Sequence, residues 1–136
     1  MVTDEQVEEW VYAQARALAD GQGMGALENA VGRACREVQR RVLERTVREA
    51  AAAAPMNCSR CGGELRASSR GRVRQVVSFH GQIRFARNHG YCPACGKYDH
   101  PADGRLGLHG RAPASPRVQE ACALTALRAP AGQARD

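Results

Sequence analysis

Apolar side chains recur at helical spacing through the first third of the chain. Val7, Trp10, Val11 and Leu18 form one stripe, with Gln14 as its polar member. Thr3 and Gln6 have the spacing of a capping box, and Asp4 and Glu5 fall in the first turn, where the helix dipole favours acids. Three glycines between Asp20 and Gly25 interrupt this pattern. A longer helix is predicted over 26–54, with Leu27, Val31, Ala34, Val38 and Val42 on one stripe, Cys35 beside it and Thr46 extending it. Glu37–Arg41 and Glu44–Arg48 are favourable i,i+4 pairs, Gly32 costs about 1 kcal/mol relative to alanine, and Pro55 ends the helix. One narrow stripe per helix suits an antiparallel hairpin. Such an arm either packs on its own domain or binds a second chain.

The middle of the chain changes period. Residues 72–79 and 83–91 alternate as two strands around His80-Gly81-Gln82. Pairing Phe79 with Ile83 and Val77 with Phe85 gathers Val73, Val77, Phe79, Ile83 and Phe85 on one buried face. A two-residue His80-Gly81 turn is the competing local signal, and it would pair Val77 with Arg84. In the favoured register Arg72, Arg74 and Arg84 line the solvent face, with Val76, Ser78 and Ala86 between them. Arg66 and Arg70 lie on the approach, and Arg87 falls on the mixed face. Downstream, Ser115 caps a short helix over 116–128 carrying Val118, Ala121, Cys122 and Leu124. Residues 129–136 have the composition of a disordered tail.

At 136 residues the chain is too short for the large enzyme folds. Only 4% of residues are aromatic, and alanine inflates the 43% hydrophobic share, so a large single core is not expected. The acidic N-terminus lacks the basic start and apolar run of a signal peptide, and the longest apolar run is Ala50–Ala54. A cytoplasmic protein is therefore expected, nucleoid-associated if it binds DNA, with cysteines serving as metal ligands or free thiols. The formal charge of +6 is unevenly spread. Residues 58–112 hold nine arginines and Lys97 against Glu64, Asp99 and Asp103, a net +7, whereas residues 1–57 are net −2. A basic segment of this kind points to a polyanion such as DNA; a solvated arginine-rich surface is the plainer alternative.

Cys58-Ser-Arg-Cys61-Gly62 and Cys92-Pro-Ala-Cys95-Gly96 carry the clearest chemistry. Two residues between thiolates let a tight turn aim both sulfurs at one ion, and the following glycine relieves the turn. The thirty residues between Cys61 and Cys92 run out and back as a hairpin, so their length does not separate the pairs. Four thiolates close a tetrahedral zinc site with no open position, so one structural Zn2+ held by Cys58, Cys61, Cys92 and Cys95 is expected. Iron in a rubredoxin-like electron carrier and a dithiol redox pair are the alternatives. Four thiolates and a divalent ion together lower the segment's charge to about +5. His100 is the one plausible substitute ligand, while His80, His89 and His109 read as turn or surface residues. Cys35 and Cys122 read as small apolar residues on helices. Asp99 and Asp103 do not make an acid–base pair, and no catalytic residues are expected. The predicted fold is small α+β: a helical hairpin over 1–55, a four-cysteine zinc ribbon (a β-hairpin with two zinc knuckles) over 56–110, and a short helical or disordered tail over 111–136. The predicted DNA contacts are Arg66, Arg70, Arg72, Arg74, Arg84, Arg87 and Lys97.

The order of features is specific. Cys58-x-x-Cys61-Gly62-Gly63 is followed by Arg70-Gly-Arg72, Phe79-His-Gly81-Gln-Ile83-Arg-Phe-Ala-Arg87 and Tyr91-Cys92-x-x-Cys95-Gly96. Pro101-x-Asp103-x-x-Leu106-Gly107-Leu108 and Ser115-Pro116 complete the series. This resembles the N-terminal region of the ISKra-type family of bacterial insertion-sequence transposases. The resemblance implies a DNA-binding ribbon ahead of a nuclease domain with a metal-binding carboxylate triad. Since the chain stops shortly after Ser115-Pro116, it also implies a truncated, non-enzymatic fragment. Its helical arm would then bind a full-length transposase or another copy of the chain.

Overall fold

A computed structural model describes residues 2–68 and 72–128, which divide into two compact units, Met1–Leu43 and Glu44–Asp136. In the first unit, α1 (Asp4–Leu18) opens on the expected capping box. Thr3 Oγ1 accepts from the Gln6 amide at 3.2 Å, and Gln6 Oε1 accepts from the Thr3 amide at 2.9 Å. The second helix, α2 (Met24–Ala52), runs antiparallel to it. Arg41 lies over the Trp10 ring at 5.5 Å near one end, and Ala19 and Leu27 line the same surface groove at the other. Ala15, Ala30 and Ala34 are buried, whereas Leu27, Val31 and Val42 of the expected stripe are exposed. Glu37 receives both Arg40 at 2.8 Å and Arg41 at 3.0 Å, and these partners hold its carboxyl down at about 2. Glu44–Arg48 also forms, at 3.1 Å. Among the described residues no helix is long and apolar enough to cross a membrane.

Among the described residues the second unit contains two separate sheets. One comprises β2 (Arg72–Ser78) and β3 (Gly81–Arg87), paired Arg74 to Phe85, Val76 to Ile83 and Ser78 to Gly81. Neither expected register forms. The turn is Phe79-His80, closed by Gly81 at φ +111°, a value glycine adopts without strain. Ser78 Oγ fastens it, donating to the Gly81 carbonyl at 2.6 Å and accepting from the His80 amide at 3.1 Å.

This register turns β2 over, while Ile83 and Phe85 of β3 stay inward as expected. Val76, Ile83 and Phe85 are buried, with Arg74 beside them at 8% exposure; Val73, Val77 and Phe79 stay 55%, 43% and 48% exposed. An arginine takes a core position because Asp103 of α3 (Pro101–Arg105) meets it there. Asp103 Oδ2 lies 3.1 Å from Arg74 Nη1 and also accepts from Arg87 Nη1, while Arg74 Nη2 donates to the Ala112 carbonyl at 2.9 Å. Paired and hydrogen-bonded, the guanidinium tolerates burial.

Both edges of the hairpin are occupied. Glu44 Oε2 accepts from the Arg84 amide at 3.0 Å on β3. Along β2 the 113–115 segment adds two backbone bonds, from the Val77 amide to the Pro113 carbonyl at 2.8 Å and from the Ser115 amide to the Val77 carbonyl at 2.9 Å. Ser115 then caps α4 (Pro116–Arg128) through the Val118 amide at 3.2 Å, as its position predicts. The predicted disordered tail, 129–136, lies outside the described residues.

The other sheet, in the order β1-β4-β5, joins Arg66–Ala67, Gly90–Cys92 and Lys97–Asp99. The strand expected over 83–91 is therefore broken: its end leaves the hairpin and becomes β4. Gly90 makes this possible. A Cβ there would stand 2.8 Å from Leu65 Cβ and 3.1 Å from the Arg66 carbonyl, so only glycine lets β4 lie so close to β1.

Candidate metal centre

The two Cys-x-x-Cys segments are turns that meet at one end of the β1–β4–β5 sheet. In the first, the Cys58 amide donates to the Gly63 carbonyl and the Gly62 amide to the Cys58 carbonyl, both at 2.8 Å. In the second, which joins β4 to β5, the Gly96 amide donates to the Cys92 carbonyl at 2.8 Å. Gly62 and Gly96 sit at equivalent places with φ of +73° and +67°, the left-handed conformation that the glycine after each pair supplies.

These turns bring four sulfurs together. The Sγ atoms of Cys58, Cys61, Cys92 and Cys95 all lie within 4.8 Å of one another, with Cys58–Cys95 at 3.9 Å and Cys61–Cys92 at 3.5 Å. A tetrahedral ion with metal–sulfur bonds of about 2.3 Å needs sulfurs about 3.8 Å apart, so the set fits a single metal ion. Backbone amides already point at two of them, Gly63 at Cys61 and Cys95 at Cys92, each at 3.4 Å. Cys58 and Cys92 are buried against Leu65, with Met56 and Cys95 packed beside them.

The electrostatics favour a cation. Backbone N–H groups of Cys61 and Arg60 pull the Cys58 thiol down to about 6. The Gly63 amide acts on Cys61 in the same direction, but the Cys92 and Cys95 sulfurs outweigh it and raise Cys61 to about 12. Without a positive centre the four sulfurs cannot all be charged; a divalent ion removes that conflict.

Three neighbours brace the centre, and none is identifiable from the Cys-x-x-Cys spacing. Asp99 Oδ2 accepts from the Ser59 amide and hydroxyl, both at 2.8 Å, and Oδ1 accepts from the His100 amide at 2.8 Å. Burial alone would raise the Asp99 carboxyl, but these donors win and hold it below its ordinary value. The Cys95 sulfur acts on Arg60 so that the guanidinium holds its charge more firmly. His100, the possible substitute ligand, stands outside the sulfur set. Its Nε2 is buried without a hydrogen-bond partner, and its ring tilts against His89 at 4.5 Å.

The basic residues separate into distinct groups. Arg66, Arg72, Arg84 and Lys97 are exposed, while Arg70 lies outside the described residues. Arg74 and Arg87, expected among the DNA contacts, instead turn inward onto Asp103. Arg72 and Arg84 project from opposite faces of the hairpin, since Arg72 pairs with Arg87 and Arg84 with Gln75. The continuous basic row therefore does not form. Cys35 and Cys122 are exposed on helices, far in sequence from the sulfur cluster.

No protein-family model matches the chain, and no curated protein or solved structure matches it either.

Proposed function

We propose that Cys58, Cys61, Cys92 and Cys95 hold one structural zinc ion and that the surrounding segment is a zinc-ribbon DNA-binding module of the insertion-sequence transposase kind. The observation that carries this reading is the meeting of four thiol sulfurs at zinc spacing within the +7 stretch of the chain. Four cysteine ligands leave no open position for a reacting water, so the role is binding rather than catalysis. The phosphate contacts fall to Arg66, Arg72, Arg84 and Lys97, which remain exposed. With about three phosphates neutralised, log K for a duplex falls against log salt with a slope of about −3. Fluorescence anisotropy of a labelled duplex across a salt series measures it. Changing Arg66→Glu and Arg72→Glu together flattens the slope, and an unchanged slope removes these residues from the interface.

A second reading follows from the exposed stripe of Leu27, Val31 and Val42 on α2. In it the ion is a staple, and the helical pair binds another copy of the chain or a full-length transposase. Light scattering tests the self-association: a dimer that Val31→Glu dissociates supports it, and a monomer at high concentration refutes it.

A further inference from the structure

The β1–β4–β5 sheet has a second face, on the side opposite Cys92. Strand alternation sends Leu65 and Cys92 toward the sulfur cluster. Arg66, Tyr91 and Tyr98, which are direct cross-strand partners, occupy the other side. His89 and His100 continue that side one step along β4 and β5. The rings form a connected group: His89 stacks on Tyr98 at 4.9 Å and 4°, Tyr91 meets Tyr98 at 5.2 Å, and His89 meets His100 at 4.5 Å. Ser68 hydrogen-bonds the His89 Nδ1 atom, which fixes the ring that supports Tyr98.

Two features distinguish this group from a satellite core. The chain has only three tyrosines, and two of them stand directly opposite each other here. Tyr98 also remains 61% exposed although one ring face is already stacked. Its setting is cationic, with Arg66 across the sheet from Tyr91 on the same side and the Arg72 charge acting on His89 and His100. Burial, with the neighbouring arginines acting in the same direction, holds both imidazoles below their ordinary range. Flat aromatic rings bordered by guanidinium groups match an unpaired nucleobase and its phosphates. A duplex cannot use such a surface, because its base faces are already stacked on each other.

We propose that the Tyr91–Tyr98–His89 face, flanked by Arg66, is a stacking platform for single-stranded DNA. This rests on the DNA-binding reading and narrows it from duplex DNA to unpaired strands.

The test uses the full metal-loaded chain and anisotropy of three labelled probes: a thymidine oligomer of about twelve residues, its duplex with deoxyadenosine, and a uridine RNA oligomer of equal length. The single DNA strand binds at least about tenfold tighter than the duplex. Tyr98→Leu weakens single-strand binding by about 5- to 100-fold, the loss of one stacked base, while Tyr98→Phe stays within about twofold. Crosslinking of a bromodeoxyuridine oligomer to the unaltered protein maps to Tyr91 or Tyr98, a readout that needs no variant to fold. Equal affinity for strand and duplex, full binding by metal-loaded Tyr98→Leu, or crosslinks only elsewhere would overturn the platform while leaving duplex recognition intact. Tighter binding of the RNA overturns the assignment to DNA. Binding to none of the probes refutes both proposals.

Discussion

Removing the ion with a chelator is expected to unfold the β1–β4–β5 sheet while α1 and α2 remain helical. The strands of this sheet have two, three and three residues, too few to persist without support. The buried cluster beneath it is Cys58, Leu65 and Cys92, with Met56 and Cys95 at its margin. Three of these five residues belong to the proposed ligand set, so without an ion the cluster loses its centre and keeps little apolar surface. Structural zinc in small domains contributes about 10–16 kcal/mol of apparent binding energy, and where the site exists only in the folded chain this is folding energy. Hydrogen exchange reads the result directly: the amides of Cys58, Gly62, Leu65 and Gly96 lose protection on chelation, and far-ultraviolet circular dichroism keeps its helical signal. Cys92→Ser gives the same pattern without a chelator. Unchanged protection in a metal-free sample would show that the sheet stands alone. The absorption spectrum of the loaded protein separates zinc, which is colourless, from iron, which is not.

The same site carries a pH dependence of definite sign. With Cys58 at about 6 and Cys61 at about 12, the metal-free protein at pH 7 holds a thiolate at the first and a thiol at the second. Binding the ion must expel the Cys61 proton, so affinity rises as pH rises toward 12. Below about 6 Cys58 is protonated as well, and affinity falls more steeply.

Asp103→Ala is expected to cost about 3 kcal/mol or more, measured by denaturant unfolding of the metal-loaded protein. The carboxylate serves two guanidinium groups at once, and both arginines are largely buried. Deleting it strands two charges; the Ala112 carbonyl compensates only Arg74. Arg74→Met is the milder change, because Asp103 keeps Arg87 and the new side chain joins Val76 and Phe85 in the core. The order of the two variants therefore tests the account. An Asp103→Ala cost below about 0.5 kcal/mol, the range of ordinary surface changes, would show that the ion pairs do not hold α3 to the hairpin.

The sequence reading succeeded where the deciding interactions are local. The capping box of Thr3 and Gln6, the Glu37–Arg41 and Glu44–Arg48 pairs, and the Ser115 cap each join residues three or four apart. The four-cysteine cluster was legible for a related reason: two residues and a glycine make each turn, and sulfur chemistry gives two such turns a common centre. The hairpin failed that logic. Its alternation suits either face, and the apolar set Val73, Val77 and Phe79 looked like the inner one.

What the sequence determined by itself, then, is the pair of helices with their caps and ion pairs, and the identity of the four sulfurs. The tertiary structure decided which face of β2 is buried, because only folding brings Asp103 sixteen residues back to Arg87 and further to Arg74, where it neutralises them. It also decided that the end of the predicted second strand leaves the hairpin, since Gly90 allows β4 to close on Leu65. That departure places Tyr91, already opposite Tyr98 across the β4–β5 turn, opposite Arg66 as well, a pairing across more than twenty residues of chain and therefore absent from any local pattern.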